Sequence, residues 1–289
     1  MSATSPANTT NVASTEQRSG RVAAAFAAAK ADGRAAFIPY LTAGFPNEAA
    51  FLEHAQALLE YADIMEIGLP YSDPLGDGPT IQRSSERVLE QGMGTEKTLD
   101  LIRQLREGSD KPLVLMTYYN PIYCHPGGEA GFVRDLKAAG ADGVIVPDLP
   151  PDEGESFIEA AREADLDTTF LVAPTSTKER LELVTSHCRG FIYAVSVTGV
   201  TGARDALPSA VADLVRRVKA VSDVPVAVGF GVSNAHTARQ VAEVADGVVV
   251  GSALIKAIDA EDQGRAEQTV LDLARDIVAA CRKTAVASG

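Results

Sequence analysis

Short apolar segments alternate along the chain with longer segments in which hydrophobic residues recur every three or four positions. Eight of the short segments are rich in β-branched or aromatic residues, and most are bounded by Gly, Pro or Asp, which predicts β-strands. The predicted strands are residues 36–41, 64–67, 113–117, 143–146, 168–172, 191–195, 226–228 and 248–250.

The segments between the strands have helical spacing. Phe132, Val133, Leu136 and Ala139 repeat at intervals of three and four, and the pattern stops at Gly140. Eight β-to-α units predict an α/β fold, a closed (β/α)₈ or TIM barrel, because continuously apolar strands are typical of parallel strands covered on both faces. An open doubly wound sheet is the alternative.

Two helical segments are additional to the eight units. One, residues 18–30, precedes the first strand as an extra N-terminal helix, and the other, 84–91, precedes the helix 95–106. Residues 1–17 are rich in Ser, Thr, Ala and Asn and lack an apolar signal core, so we expect a disordered extension. We expect residues 18–289 to form a single barrel domain.

Composition narrows the functional classes. The 289 residues are 46% hydrophobic with a net charge of −13, which argues against nucleic-acid binding because neutralising phosphates requires clustered Lys and Arg. No apolar run approaches the roughly 18 residues of a membrane span. Three cysteines without paired spacing and four scattered histidines indicate neither a disulfide framework nor a metal site, and fit a cytoplasmic location.

The most informative carboxylate is Glu66, which lies inside the apolar run 63–69. A carboxylate in a buried strand is costly unless it is paired or used in chemistry. A Gly/Pro-rich loop with Asp73 and Asp77 follows directly. Functional groups of such barrels gather at the carboxyl ends of the strands, so Glu66 and Asp77 are candidates for proton transfer.

Other polar residues at strand ends have simpler alternatives. Asp73 precedes a Pro and Asp77 precedes a Gly, so either could only shape a turn. Asp148 could cap the helix entering at residues 150–153, and Tyr193 could be a core residue whose phenol needs a hydrogen-bond partner.

Three glycine-containing loops follow the last three predicted strands, at residues 196–203, 229–234 and 251–252. Barrels often bind phosphate with the loops after strands seven and eight and a helix N-terminus. This arrangement indicates an enzyme for a phosphorylated small molecule. The alternative is tight turns with helix caps at Ser233 or Ser252.

Six segments together resemble the tryptophan synthase alpha subunit family: residues 65–82, 37–44, 116–121, 147–150, 196–202 and 229–233. The resemblance implies a barrel that cleaves indole-3-glycerol phosphate to indole and glyceraldehyde 3-phosphate, the last stage of L-tryptophan biosynthesis. It implies no cofactor in this chain, and a PLP-dependent beta subunit as partner in an alpha2-beta2 tetramer.

The resemblance also implies residue roles. Glu66 matches the catalytic glutamate, which exchanges protons with indole C3 and the glycerol hydroxyl, and Asp77 matches the catalytic aspartate at the indole nitrogen. The implied substrate contacts are Tyr40, Tyr118, Tyr193 and Thr201. The implied phosphate contacts are Gly202, Phe230, Gly231, Gly251 and Ser252.

Two positions depart from the family pattern. Val197 stands where some members carry an arginine, and Gly76 replaces a common alanine before Asp77. Two other functions stay open at this point: a stand-alone lyase that releases free indole, and a binding module that only regulates a partner. Turnover by the isolated chain, with and without a beta subunit, distinguishes them.

Overall fold

The structure is a computed structural model that describes residues 20–195, 209–229, 231–266 and 268–283. The expected N-terminal extension therefore lies outside the described residues. Within them, no helix has the length and apolar character needed to cross a lipid bilayer.

The described residues form one sheet of nine parallel strands in the order β5-β4-β3-β2-β1-β9-β8-β7-β6, which confirms the predicted barrel over the open alternative. All eight predicted strand segments contain strand. The strands are β1 (Ala36–Thr42), β2 (Met65–Gly68), β3 (Leu113–Met116), β4 (Gly143–Ile145), β5 (Asp167–Thr169), β6 (Leu171–Val172), β7 (Ile192–Ala194), β8 (Val226–Val228) and β9 (Gly247–Val250).

The count of nine arises because the fifth predicted strand is interrupted at Phe170. Its first half, β5, pairs with β4, and its second half, β6, pairs with β7. The carbonyl of Phe170 itself accepts the backbone N–H of Tyr193 at 3.1 Å. The two edges of the sheet are thus consecutive parts of one extended stretch, and this stretch closes the barrel.

Helices cover the outside of the barrel and follow most strands. In the described residues they are α1 (Arg21–Ala31), α2 (Glu48–Leu59), α3 (Pro79–Glu90), α4 (Thr95–Gly108), α5 (Tyr119–Tyr123), α6 (Gly128–Ala138), α7 (Glu155–Glu163), α8 (Lys178–His187), α9 (Ser209–Lys219), α10 (Ala235–Val244), α11 (Ser252–Asp262) and α12 (Val270–Ala280). The predicted extra helices are present as α1 and α3.

Two helix boundaries have clear causes. α3 begins five residues before the predicted residue 84, because Pro79 at its first position has the backbone φ of a helix and no N–H to lose. α6 ends as predicted, since Gly140 follows it in a left-handed conformation with φ of 97°.

Side chains alternate between the barrel interior and the helices outside. The interior cluster includes Ile38, Ile64 and Val249, and α1 closes its lower end by placing Phe26 against Phe191 with ring centroids 5.7 Å apart. The amino-terminal end of the barrel is therefore packed shut. The carboxyl ends of the strands form the open mouth.

Three aspartates mark the amino-terminal entries to β2, β4 and β9: Asp63, Asp142 and Asp246. Each accepts a backbone N–H from near the start of the neighbouring strand, at 2.8 to 3.0 Å: Phe37, Leu113 and Val226, respectively. Each also pairs with a basic side chain: Arg34, Arg106 and Lys219. These carboxylates join adjacent strands at the closed end.

Candidate active site at the barrel mouth

Glu66 lies in the middle of β2, between Tyr40 of β1 and Val114 of β3 in the sheet register. Ile64, two residues before Glu66, belongs to the interior cluster. Because side chains two residues apart on a strand share one face, Glu66 points into the barrel as well. The side chain is completely buried, and neither carboxylate oxygen has a hydrogen-bond partner among the described residues. Such a group is held in an unfavourable state in the folded protein.

The environment of Glu66 favours its protonated form. Burial, together with the nearby charge of Asp77, raises the pKa of this carboxyl to about 8. A carboxylic acid with this pKa keeps its proton at neutral pH and can donate it to a substrate.

Asp77 is carried by the loop between β2 and α3, and backbone contacts define its position. Its N–H donates to the carbonyl of Pro74 at 3.1 Å, and the Gln82 side-chain amide donates to the carbonyl of Asp77 at 2.9 Å. Burial raises the pKa of the Asp77 carboxyl to about 6, although a hydrogen bond from Tyr118 opposes the rise. Asp77 is therefore ionised at neutral pH, where Glu66 is protonated.

Tyr118 connects the loop to the next strand. Its buried phenol oxygen accepts the N–H of Gly76 at 2.9 Å and its hydroxyl donates to the carboxylate of Asp77. The ring stacks on Tyr71, with centroids 5.2 Å apart. Burial, and then the charge of Asp77, raises the pKa of the Tyr118 phenol above its ordinary value. Tyr118 thus holds the segment that carries Asp77.

Two further tyrosines enter the mouth where glycines leave room. A Cβ on Gly68 would lie 2.1 Å from the hydroxyl of Tyr40, and a Cβ on Gly229 would lie 2.0 Å from the hydroxyl of Tyr193. Burial raises the pKa of both phenols well above the usual value, and the charges of Asp77 and Glu66 add to the effect. The structure therefore brings Glu66, Asp77, Tyr40, Tyr118 and Tyr193 into one site.

The glycine loops follow β8 and β9, and β9 is paired directly with β1, the strand that carries Tyr40. Gly231 has a φ of 81°, which favours glycine, and Gly251 precedes the eleven-residue helix α11. No side chain caps the first turn of α11, so Ser252 is its first residue and not a cap. α10 is capped by Asn234 in a box with Thr237, so Ser233 is not a cap either. The simpler interpretation of these two serines as helix caps is wrong.

Four sequence predictions concern positions outside the described residues: Thr201, Gly202, Phe230 and the departure at Val197. Of the predicted phosphate contacts, the structure describes Gly231, Gly251 and Ser252.

Asp148 and Asp73 have roles that differ from those of Glu66 and Asp77. Asp148 does not cap the helix that follows it, since α7 begins after Gly154 without a side-chain cap. Its carboxylate accepts the N–H of Tyr119 at 2.8 Å, and so it bonds to the start of α5 instead. Asp73 is exposed and accepts the hydroxyl of Ser72.

Sequence reasoning missed a set of hydroxyl groups beside Tyr40. The phenol of Tyr40 lies 3.5 Å from the hydroxyl of Thr42, which is 2.7 Å from that of Ser84, and Ser84 donates to the carbonyl of Ile81 at 2.7 Å. Because a carbonyl can only accept, the Ser84 proton points to Ile81. The one signal in the sequence was the polar Thr42 at the end of an apolar strand.

Among the described residues, no group of three or more His, Cys, Asp or Glu side chains is arranged to hold a metal ion. The chemical groups that the site offers are two carboxyls of different pKa, three phenols and the exposed backbone of the glycine loops. This set is suited to moving protons on an aromatic substrate that carries an anion.

The chain is similar to known proteins over most of its length. A family model described as "Tryptophan synthase alpha chain" matches residues 26–284. The tryptophan synthase alpha chain of Deinococcus radiodurans is 54% identical over 264 residues, covering 91% of this chain and 95% of the relative. That of Mycobacterium tuberculosis is 47% identical over 248 residues, covering 86% and 91%.

Solved structures agree with the sequence comparisons. A structure of Mycobacterium tuberculosis tryptophan synthase has a TM-score of 0.84 and 43% identity, covering 92% of this chain and all of that one. A mutant tryptophan synthase alpha-subunit from Pyrococcus furiosus has a TM-score of 0.77 and 40% identity, covering 85% and 99%. The matches support a tryptophan synthase subunit and give no support to a stand-alone lyase.

Proposed function

The chain belongs to the tryptophan synthase alpha chain family, whose members cleave indole-3-glycerol phosphate, and we propose that Glu66 and Asp77 carry out this cleavage here. The observation that carries the assignment is Glu66 itself. It is a fully buried carboxyl that has no hydrogen-bond partner in the described residues and lies beside an ionised carboxylate at the mouth of a barrel.

The reaction is a retro-aldol cleavage of the bond between indole C3 and the glycerol chain. Protonated Glu66 donates its proton to C3, and the bond to the chain breaks as the glycerol hydroxyl next to it becomes the aldehyde. The resulting carboxylate of Glu66 takes the proton of that hydroxyl, so the residue ends as it began. Positioned proton transfer of this kind contributes about 10²–10⁴-fold to the rate.

Asp77 acts at the opposite side of the indole ring. Protonation at C3 leaves positive charge on the ring nitrogen, and an ionised carboxylate that accepts the N–H stabilises this charge. The different pKa values of the two carboxyls suit these different roles, because one must hold a proton and the other must accept a hydrogen bond. The indole ring serves as electron sink, so no cofactor of this chain takes part in the proposed reaction.

The substrate phosphate would bind at the glycine loops that follow β8 and β9. Gly231, Gly251 and Ser252 offer backbone N–H groups, and the N-terminus of α11 adds a favourable dipole. The phenol-bearing rings that would contact the indole are Tyr40, Tyr118 and Tyr193. By family, we assign Thr201, Gly202 and Phe230 to the same substrate.

We also propose a tryptophan synthase beta subunit as partner, with PLP bound in that subunit and an alpha2-beta2 assembly. Among the described residues, the large hydrophobic side chains that are exposed are Leu75, at 96%, and Tyr123, at 68%. Both lie in segments that follow strand ends, on the face of the barrel that holds the active site. Burying them against the beta subunit would let indole pass between the sites without entering solvent.

We place the chain in the cytoplasm, where thiols stay reduced. None of the three cysteines forms a disulfide, and Cys188 and Cys281 are buried. We also retain the single barrel domain over residues 18–289, since the strands of the described part belong to one sheet.

The decisive experiment measures indole release from indole-3-glycerol phosphate by the full chain, with and without a beta subunit. We expect turnover that the beta subunit increases, and a severe loss of indole release in both Glu66→Gln and Asp77→Asn. Wild-type rates in either variant would remove that residue from the mechanism.

The partner surface has its own test. Tyr123→Ser should weaken beta-subunit binding by about tenfold, because large aromatic residues dominate interface energetics. Unchanged binding would place the interface elsewhere.

A further inference from the structure

Asp148 lies in the loop after β4, outside the group of residues that would contact the substrate. Its carboxylate oxygen Oδ1 accepts the backbone N–H of Tyr119 at 2.8 Å, the first amide of the short helix α5. A carboxylate in this position satisfies an amide that has no acceptor within the helix. The bond joins the loop after β4 to the end of β3.

Tyr119 is also fixed through its side chain. Its hydroxyl donates to Glu129 of α6 at 2.7 Å, and the second oxygen of Glu129 accepts the hydroxyl of Ser156 of α7 at 2.5 Å. The hydrogen bond to Glu129 raises the pKa of the Tyr119 phenol to about 12. The start of α5 is thus tied to two elements of the barrel wall.

Tyr118 immediately precedes this anchored residue and reaches the catalytic loop. Its phenol oxygen accepts the N–H of Gly76 at 2.9 Å and its hydroxyl donates to Asp77. A series of hydrogen bonds, joined by the backbone of residues 118 and 119, therefore connects Asp148 with Asp77. The backbone shared by Tyr118 and Tyr119 transmits the position of one end to the other.

We propose that Asp148 is a positioning residue for Asp77: by holding the N–H of Tyr119 it sets the place of the Tyr118 hydroxyl, and thereby the place of the Asp77 carboxylate. This inference rests on the proposed function, because it gives Asp77 a catalytic task that depends on position.

The energetic reason is preorganisation. Asp77 sits on a Gly-containing loop, and an acceptor that moves by about 1 Å from its productive place can lose about 10²-fold in rate. Holding the loop through Tyr118 before the substrate arrives avoids that loss. The contribution appears in kcat, because the hydrogen bond from the indole nitrogen strengthens as charge develops there.

The experiment compares Asp148→Ala with Asp148→Asn in the full chain, assayed for indole release with a beta subunit present. We expect Asp148→Ala to lower kcat/KM by about tenfold, mainly through kcat. A change of this size corresponds to the free energy of a lost helix cap. Asp148→Asn should stay within about threefold of wild type, because its amide oxygen can still accept the N–H of Tyr119.

Thr269→Ala is the matched control. The hydroxyl of Thr269 caps α12 by accepting the N–H of Asp272 at 3.1 Å, and neither residue belongs to the proposed site. This variant should lose similar thermal stability with kinetics unchanged. If it lowers kcat as much as Asp148→Ala does, the effect of Asp148 is on stability alone and the proposal fails.

The path through Tyr118 is tested in a double-mutant cycle. In a Tyr118→Phe background, which lacks the phenol oxygen, Asp148→Ala should lower kcat/KM by less than about twofold. An undiminished tenfold loss there would overturn the inference, as would wild-type kinetics of Asp148→Ala. An inactive wild-type chain would instead reject the proposed function, so the two failures are distinguishable.

Discussion

Two carboxylates, three positions apart, flank the start of β2 and have opposite surroundings. Asp63, at the closed end of the barrel, is 7% exposed; both of its oxygens bind Arg34, at 2.5 and 2.8 Å, and one also accepts the N–H of Phe37. Glu66, on the side of the mouth, is fully buried and has no such partner in the described chain. One strand thus carries a satisfied charge at its entry and an unsatisfied acid near its exit.

The difference separates stability from chemistry. Asp63 links β2 to β1 and also binds Arg34. Asp142 and Asp246 make the equivalent links at their own strand entries. Glu66 joins nothing and raises the free energy of the folded state, a cost that is consistent with use in a reaction. Replacing the carboxyl group by an amide should therefore have opposite results at the two positions.

The largest effect should come from Glu66→Gln. We expect kcat to fall by about 10³-fold or more, because the amide cannot exchange protons with the substrate. Stability at neutral pH should be equal to or higher than that of wild type, since a buried ionisable group is removed. Steady-state kinetics and urea unfolding of the same preparation check both parts, and a large loss of stability would contradict the comparison.

Asp63→Asn should show the reverse pattern. It leaves Arg34 at a partly buried site with a neutral amide in place of the Asp63 carboxylate and with the exposed carboxylate of Asp32 at 3.5 Å, which should cost about 3 kcal/mol of unfolding free energy. The kcat of the folded fraction should stay within about twofold of wild type. A parallel Asp142→Asn variant is the control, because it removes the equivalent carboxylate at β4. If Asp63→Asn loses kcat without losing stability, the separation between the two ends is wrong.

The pH dependence of stability sharpens the comparison further. The pKa of Glu66 is about 8 when folded against 4.5 for the free side chain, so the folded state holds more protons between these values. Stability should therefore fall as pH rises from about 4.5 to 8, by up to about 5 kcal/mol. Glu66→Gln should lose this part of the dependence, which chemical denaturation at several pH values measures. Identical pH profiles of the two proteins would argue against a protonated Glu66.

The pH dependence of activity should reflect the ionisation of both Asp77 and Glu66. A plot of kcat/KM against pH should be bell-shaped, rising as Asp77 ionises near pH 6 and falling as Glu66 loses its proton near pH 8. The two limbs give apparent values for the coupled pair. Asp77→Asn should retain the alkaline limb and lose the acidic one, and a profile with both limbs intact would reject the assignment.

The smallest effect should come from Gly76→Ala. An added Cβ would lie 3.2 Å from the phenol oxygen of Tyr118, a tight contact that a shift of a few tenths of an ångström relieves. We expect kcat/KM to stay within about threefold of wild type and stability to rise by about 0.5 kcal/mol, because alanine restricts the unfolded chain. A loss beyond tenfold would show that the loop tolerates no displacement next to Tyr118.

The fold was predictable because its signals are local. Each strand is a short β-branched segment, and the pairs Ala62-Asp63, Ala141-Asp142 and Ala245-Asp246 repeat at three strand entries. The interruption at Phe170 was not predictable, since it depends on how the closing strand turns from one neighbour to the other. Glu66 was identifiable because a carboxylate is conspicuous in an apolar strand.

The contacts between residues of the site were harder to predict from the sequence than the fold. Gly76 and Tyr118 are 42 positions apart, and nothing in either segment indicates that an amide of one meets a phenol of the other. One interpretation of Asp148 was a cap of the helix that follows it, whereas in the structure it accepts an N–H from α5, which precedes it in the chain. Contacts of this kind depend on the order of strands around the barrel and on loop geometry, which single-sequence patterns do not encode.

The pairing of β1 with β9 has a consequence for biosynthesis. All the other strand pairs join consecutive strands, whereas β1 also pairs with the last strand of the described residues through four aligned positions, from Ala36 with Gly247 to Pro39 with Val250. A nascent chain that emerges from the ribosome therefore carries an open edge on β1 until β9 has been translated. That edge is available for wrong pairing with another chain, so co-translational protection by chaperones should matter most for incomplete chains that end before β9.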